Sequence, residues 1–312
     1  MDVYNLTPVE YKDISLDPGH VFNSIEFNVL TAQARGIELA CLGFKAKKYK
    51  LGIIGSITDQ KFRSPFSAPF GGFSYANNDL SLETIDQAVS ALIEYLKGHE
   101  VSEIEFVMPP LFYNVSFLSK LSNTLYRQRF EVVKSDLNHS FHLDTIGEDY
   151  LAILHYNAKK NLNIALGNNF EFIACKSLEE KELAYGIIKE NREAKGYPLR
   201  MDFDVIRHTI GVVKADFFLV KLDADYVAAA MVFHVTDSIV QVVYWGDLPQ
   251  YSSKKTMNYL SYSVVKHYQS THIRVIDIGP STENSIPKYG LCDFKESIGC
   301  TVYPKQAWAL KL

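Results

Sequence analysis

The chain has 312 residues, of which 47% are hydrophobic and 22% charged, and carries a net charge of −4 at neutral pH. That composition excludes a disordered chain and fits a soluble globular protein. The length sets the default at two domains of roughly 150 residues each.

No apolar run reaches the roughly 20 residues that span a bilayer, and the first residues lack a basic-then-apolar leader. The expectation is a cytoplasmic protein with no transmembrane segment. Residues 1–150 hold 13 Lys and Arg against 19 Asp and Glu, a net of −6, and residues 151–312 hold 19 against 17, a net of +2. An anionic ligand is steered towards the second half. No basic stripe of nucleic-acid type is present, so no DNA partner is expected. Cys41, Cys175, Cys292 and Cys300 are scattered, which reads as buried free thiols.

Residues 1–20, with Pro8 and Pro18, read as an irregular lead-in. Phe22, Ile25, Val29 and Leu30 follow helical spacing over Val21–Ala34. Strands are expected at Ile37–Phe44 and Tyr49–Ser56, joined by the basic turn Lys45–Lys48, a solvated hairpin tip. Arg63–Tyr75 then packs two prolines, two glycines and four aromatics into thirteen residues. Gly71-Gly72 permits positive φ and close backbone approach, so this loop reads as a cleft wall or, second to that, a packed Ω-loop. Ser81 caps a helix with Ile85, Val89, Leu92, Ile93 and Leu96 on one face, which Gly98 ends. A strand at Glu103–Met108, a helix at Phe117–Tyr126 and a β-rich segment at Phe130–Leu143 complete the first half.

Asp149–Leu166 is expected to be helical with a break near Asn161, followed by a strand at Phe170–Cys175. Ser177 caps a helix from Leu178 to Lys195, with Glu179, Glu180 and Glu182 favourably placed in its first turn. Asp202 or Asp204 starts a short helix. Three β-rich runs, Phe217–Leu222, Tyr226–Val235 and Ile239–Gly246, form an antiparallel meander. Met257, Leu260, Val264 and Val265 return to helical spacing, with Ser252 and Ser253 as N-cap candidates. Arg274–Gly279 reads as a buried strand, Tyr289–Gly299 as a short helix, and Thr301–Leu310 as a closing β segment. The two halves share this plan without a residue-level repeat.

Dinucleotide, P-loop, nucleophile-elbow and zincin motifs are all missing. His139 and His142 lie three apart on a strand and so face opposite sides. No metal site is expected.

The meander–helix–strand order of residues 216–280 resembles the acetyltransferase (GNAT) core. Tyr289-Gly290-Leu291-Cys292-Asp293-Phe294-Lys295-Glu296-Ser297-Ile298-Gly299 is similar to the C-terminal signature of the FemAB-like family. Ser64-Pro65-Phe66 with Phe70-Gly71-Gly72, Asn157-Ala158-Lys159-Lys160-Asn161-Leu162 and Asp277-Ile278-Gly279 resemble further family segments. The resemblance implies a mixed α/β fold of two tandem GNAT-like domains, residues 1–148 and 149–312. It implies an acyltransferase that forms an amide on an amino-bearing acceptor, a peptidoglycan precursor in the best-known members. The donor is an aminoacyl-transfer RNA or an acyl-coenzyme A, with no other cofactor. An acyl-CoA-dependent N-acyltransferase of a small molecule and a non-catalytic ligand-binding protein remain as alternatives.

Under this resemblance the catalytic candidates are Tyr244, Asp277 and Lys295. His234 reads as a strand histidine without a catalytic task. Ser67, Phe70, Gly71, Gly72, Tyr75, Asn157, Lys160 and Trp245 are the substrate-binding candidates. Tyr244 and Trp245 are neighbours on a strand, so one of them at most lines a cleft. The GNAT pyrophosphate loop has no glycine here. Ser252, Ser253, Lys254 and Lys255 stand in its place as donor-phosphate candidates. The long helical hairpin that some members use to contact transfer RNA is also missing.

Overall fold

The computed structural model describes every residue except Asn78 and Glu148. Contacts divide the chain into two compact units, residues 1–136 with 304–312 and residues 137–303. This differs from the expected boundary, whose last first-domain residue, Glu148, lies outside the described residues.

The first unit opens with β1 (Asp2–Leu6) and α1 (Pro8–Asp13), where an irregular lead-in was expected. Thr7 and Glu10 form a capping box and Pro8 occupies the first helical turn, a start signal that proline content alone obscured. A turn at Val21–Asn23 precedes α2 (Ile25–Arg35), capped by Ser24. There follow β2 (Ala40–Lys45), β3 (Tyr49–Thr58), β4 (Lys61–Ser64), β5 (Phe73–Tyr75), α3 (Leu82–Lys97), β6 (Glu103–Val107) and α4 (Val115–Arg127).

Ser81 caps α3, as its spacing predicts. That cap is worth about 1 kcal/mol. Ile85, Val89, Leu92 and Leu96 are fully buried, at roughly 1.5–3 kcal/mol each. Burial therefore holds the helix in place, and the cap sets where it begins.

β7 (Glu131–His142) passes from the first unit into the second. A short α5 (Leu143–Ile146) and a turn at Tyr150–Ile153 lead to α6 (Tyr156–Leu166). The helical break therefore falls at Leu154-His155, not near Asn161. β8 (Phe170–Ala174), α7 (Leu178–Ala194) and α8 (Phe203–Thr209) follow, with Asp202 capping α8. The meander is β9 (Ala215–Leu222), β10 (Asp225–His234) and β11 (Ile239–Asp247). Then come α9 (Thr256–Gln269), β12 (Val275–Pro280), the small pair β13 (Thr282–Glu283) and β14 (Ile286–Pro287), α10 (Tyr289–Ser297) and β15 (Thr301–Lys311). Ser252 and Ser253 lie in a 3-10 turn, Pro249–Lys254, and cap nothing. Lys255, at φ +61°, precedes α9, which has no side-chain cap.

In the first unit the strand order is β1-β2-β3-β4-β6-β15, with β5 beside β3. In the second it is β7-β12-β11-β10-β9-β8. Among the described residues each unit contains one parallel pair among antiparallel neighbours, β4 with β6 and β11 with β12. Each parallel pair is joined through a crossover helix, α3 or α9, as parallel pairing requires. Meander, helix, strand, helix is thus the common plan of both units, with β15 next to β6 in one and β7 next to β12 in the other.

One close approach fixes how α7 lies on the second sheet. Asn191 donates to the Asp247 carbonyl at 2.6 Å, and an ideal Cβ on Gly246 would sit 2.5 Å from the Asn191 side chain. Gly246→Ala should therefore cost about 1–3 kcal/mol, read as a lower denaturation midpoint. An unchanged midpoint would mean that α7 can shift at no cost.

Candidate active site

Each parallel pair parts where its unit carries polar and glycine-rich residues. In the first unit the pairing runs from Lys61↔Glu103 to Ser64↔Phe106. The chain then leaves through a cis Ser64–Pro65 bond and returns at Gly71, whose N–H donates to the Val107 carbonyl at 2.8 Å. Gly71 is needed for close approach, since a Cβ would stand 2.8 Å from the Pro65 nitrogen. Gly72 is needed for its φ of +120°. Ser64 Oγ donates to the Ile54 carbonyl at 2.8 Å and accepts from Gly72 N–H at 3.3 Å.

Beside this turn lies a pocket of about 20 Å³, lined by His20, Gly71, Gly72, Tyr75, Tyr113 and Asn114 among others. That is room for about one water-sized group. Asn114 donates to the Tyr75 hydroxyl at 3.1 Å. Neither ring nitrogen of His20 has a hydrogen-bond partner. Burial pushes the pKa of His20 down to about 3, opposed by the Gly71 backbone, so the imidazole is neutral. Of the expected binding residues, Gly71, Gly72 and Tyr75 line the pocket. Phe70 does not; it is fully buried and packs edge-on under His20 at 4.9 Å. Ser67 lies half-exposed on the loop, outside the lining.

In the second unit β11 and β12 pair at three positions only, Ile239↔Val275, Val240↔Ile276 and Gln241↔Asp277. β11 runs on to Asp247 beside β10, away from β12. Val243 is an extra residue in that ladder, since Met231 pairs with Tyr244 and Val232 with Val242. Such a bulge re-aims the side chains that follow it. Trp245 consequently joins the core on the α9 side with Tyr251 and Met257. Tyr244 faces α7, where the Arg192 guanidinium lies 4.9 Å from its ring centroid. Burial raises the Tyr244 pKa against the pull of Arg192 and Arg200, so the phenol keeps its proton at neutral pH.

Arg192 also donates to the Pro198 carbonyl through Nε and Nη2, at 3.0 and 2.8 Å. Its charge lies 5.9 Å from the Tyr197 ring centroid, and Lys288 approaches the same ring at 4.5 Å. A cationic, aromatic surface is thereby built around Tyr244. Sequence reasoning missed it, because these residues are far apart in the chain and form no motif.

Asp277 and Lys295, the other two catalytic candidates, both lie in the interior. Asp277 is fully buried. Its Oδ1 accepts from Asn138 Nδ2 at 2.7 Å and from Gly279 N–H at 2.8 Å, and its Oδ2 accepts from Gln241 Nε2 at 2.9 Å. Lys295 is also buried, and its ammonium donates to the carbonyls of Ile278, Gly279 and Pro280 at 2.7, 2.9 and 3.1 Å. All three of its donors are used on the backbone where β12 ends. Gly279 sits there at φ +71°. The Asp-x-Gly and Phe-Lys segments thus form one structural knot.

Asn157 and Lys160 are exposed on α6. Ser252, Ser253 and Lys254 are exposed ahead of α9, and Lys255 is half-buried. The amides of α9's first turn have no side-chain cap. His234 pairs with Asp216 at 2.7 Å, and the Tyr268 hydroxyl donates to the same carboxylate oxygen at 2.7 Å. His139 is buried with Nδ1 3.1 Å from Ser281 Oγ, whereas His142 lies against Tyr303. Among the described residues no cluster of His, Cys, Asp or Glu could hold a metal ion. Nor is any helix among them long and apolar enough to cross a membrane.

No protein-family model and no curated protein matches the chain. Solved structures do. The crystal structure of FemX superposes with a TM-score of 0.71 at 13% identity, over 100% of this chain and 98% of that one. The C-terminal domain assigned to a lysylphosphatidylglycerol synthetase from Agrobacterium fabrum gives 0.59 at 11%, over 97% and 92%. A tandem GNAT protein from the clavulanic acid biosynthesis pathway gives 0.52 at 8%, over 99% and 98%. The fold is therefore the FemX-like, tandem GNAT α/β fold.

Two outcomes follow from this geometry. Lys295→Met strands three buried carbonyls and should lower stability by about 1–3 kcal/mol in a denaturant titration; a purely catalytic lysine would leave stability unchanged. His20 has a folded pKa below its unfolded value, so its contribution is complete above about pH 6.5 and is lost as pH falls towards 3. In melts taken across that window, His20→Phe should flatten the acid decline. An identical slope would show that His20 is not buried neutral.

Proposed function

We propose that this protein is an acyltransferase that joins an acyl group to an amine, with aminoacyl transfer to a peptidoglycan precursor as the specific reading. The observation that carries it is the parting of β11 from β12 beyond the Gln241–Asp277 pair, with Tyr244 and Arg192 beside the bulge. Strands that part leave backbone N–H groups free of a ladder partner. Such groups can hold a donor carbonyl oxygen as negative charge develops on it.

In the proposed reaction the acceptor amine attacks that carbonyl carbon and a C–N bond forms. The ester C–O bond of an aminoacyl-transfer RNA breaks, and the amine gives up a proton. Tyr244, protonated and next to a cation, is suited to donate its proton to the departing oxygen, and the proton that the amine gives up restores the phenol. Asp277 and Lys295 are positioning groups: they hold the end of β12 away from β11. The cationic surface of Arg192 and Lys288 suits an anionic acceptor. The pocket at His20, within the first unit, suits a small neutral group, because a neutral imidazole offers one donor and one acceptor.

The uncapped start of α9, with Ser252, Ser253, Lys254 and Lys255 ahead of it, favours a donor that carries phosphate. Transfer RNA and coenzyme A both do, so an acyl-coenzyme A donor is the second reading. The likeness to FemX supports the peptidoglycan precursor as acceptor. The likeness to a domain assigned to a lysylphosphatidylglycerol synthetase makes phosphatidylglycerol, a hydroxyl acceptor, the competitor.

Transfer assays that pair each donor with each acceptor test the reading. Product from aminoacyl-transfer RNA and the peptidoglycan precursor is expected, and product with neither donor would sink the enzyme reading. Tyr244→Phe should lower kcat by roughly a hundredfold while leaving the melting temperature within a few degrees. A wild-type kcat in that variant would remove Tyr244 from the chemistry.

A further inference from the structure

The basic turn between β2 and β3 has no part in the transfer reading. Lys45, Lys47, Lys48 and Lys50 fall within the six residues 45–50. Ala46 N–H closes the turn on the Lys48 carbonyl at 3.1 Å, and Lys47 and Lys48 are exposed at its tip. Among the described residues none of these four lysines forms an ion pair with a carboxylate. Elsewhere in the same unit Lys12, Lys61 and Lys97 pair with Glu26, Glu103 and Glu94. Acid is in surplus over residues 1–150, at a net of −6. The tip is left cationic although partners for it are plentiful.

Aromatic rings flank it. Lys45 pairs across the sheet with Asp2 of β1 on one side and Tyr49 of β3 on the other. Its ammonium lies 5.6 Å from the ring centroid of Tyr4 and 5.3 Å from that of Tyr49, and the two rings meet edge-on at 6.0 Å. Tyr4 is 42% exposed. Phenols beside lysines suit the headgroup layer of a membrane, where the ring lies in apolar surroundings and the hydroxyl stays wet. Nucleic acid fits less well, because Lys45 lies over the ring faces on which bases would stack.

The negative charge of the rest of the unit does not forbid such a contact. Screening at physiological salt limits charge interactions to about 8 Å, so the tip governs the approach. Each lysine close to an anionic surface strengthens binding roughly fivefold. Repulsion of the acidic remainder favours the orientation that puts the tip first.

We propose that residues 45–50, with Tyr4, form a docking tip that seats the first unit reversibly on an anionic phospholipid surface. The lysines meet the phosphate layer, and Tyr4 and Tyr49 enter the headgroup level. Attachment is reversible because stable anchoring takes a second signal. The tip contains no group assigned to acyl transfer, so it stands or falls apart from the proposed reaction.

Co-sedimentation with sucrose-loaded vesicles tests the proposal. Phosphatidylcholine vesicles are used with and without phosphatidic acid, whose headgroup has no amine or alcohol to accept transfer. The protein should sediment with the phosphatidic acid vesicles at low salt, be released at high salt, and ignore phosphatidylcholine alone. Lys47→Gln combined with Lys48→Gln should weaken binding roughly thirtyfold at an unchanged melting temperature. Lys176→Gln combined with Lys189→Gln removes the same charge from exposed positions of the second unit, and should leave binding as it was. Tyr4→Trp should add an emission that shifts to the blue on phosphatidic acid vesicles. No sedimentation at low salt would overturn the proposal. So would equal losses in the two double variants, or a Tyr4→Trp emission that stays put while the protein sediments. Transfer RNA binding that falls with the Lys47 and Lys48 changes, in a protein that ignores vesicles, would give the tip to nucleic acid instead.

Discussion

Three N–H groups converge on the buried carboxyl of Asp277, from Asn138, Gly279 and Gln241. They belong to three neighbouring strands, so one side chain ties β7, β12 and β11 together at the last point where β11 and β12 still pair. Beyond it Lys295 secures the end of β12 through three backbone carbonyls, and β11 is free to bulge at Val243 and leave. Both groups are buried, where an unpaired polar atom costs about 1–3 kcal/mol. The parted strands are therefore a fixed feature of the second unit, held by polar contacts that would be expensive to break.

The first unit solves the same geometric problem with different chemistry. Its parallel pair is laced by Lys61–Glu103 at 2.7 Å and Arg63–Glu105 at 3.5 Å, in register with the ladder. Where that pair ends, two glycines and a Pro-rich turn do the work that Asp277 and Lys295 do in the other unit. The outcomes differ accordingly. One unit gains a small pocket with a neutral imidazole, and the other gains a tyrosine flanked by cations. A shared plan has been put to two uses, recognition of a small neutral group and chemistry on a charged substrate, in the reading proposed above.

Much of the fold was legible in the chain. Caps at Ser81, Ser177 and Asp202 and the period-2 runs of the meander are local signals, and each sits where its element begins. The lead-in was misread because its capping box at Thr7–Glu10 lies next to prolines that also signal irregular structure. The caps proposed at Ser252 and Ser253 failed for another local reason, the left-handed Lys255 between them and α9. The candidate site was less evenly legible. Gly71, Gly72 and Tyr75, which line one pocket, include a glycine pair that is a backbone signal. His20, Arg192 and Lys288 carry none.

The sequence by itself determined the order of elements, the two-fold plan and the composition of the key segments, because hydrophobic period and capping chemistry act over a few residues. Only the tertiary structure decided what those segments do. Asp277 and Lys295 read as catalytic candidates in short motifs, and only the closed strands reveal that both are buried and surrounded by six hydrogen bonds to their neighbours. Tyr244 gained its cation from a helix some fifty residues earlier, through packing that no spacing rule encodes. Which polar groups are satisfied, and which are left to meet a ligand, is settled when distant strands close on one another.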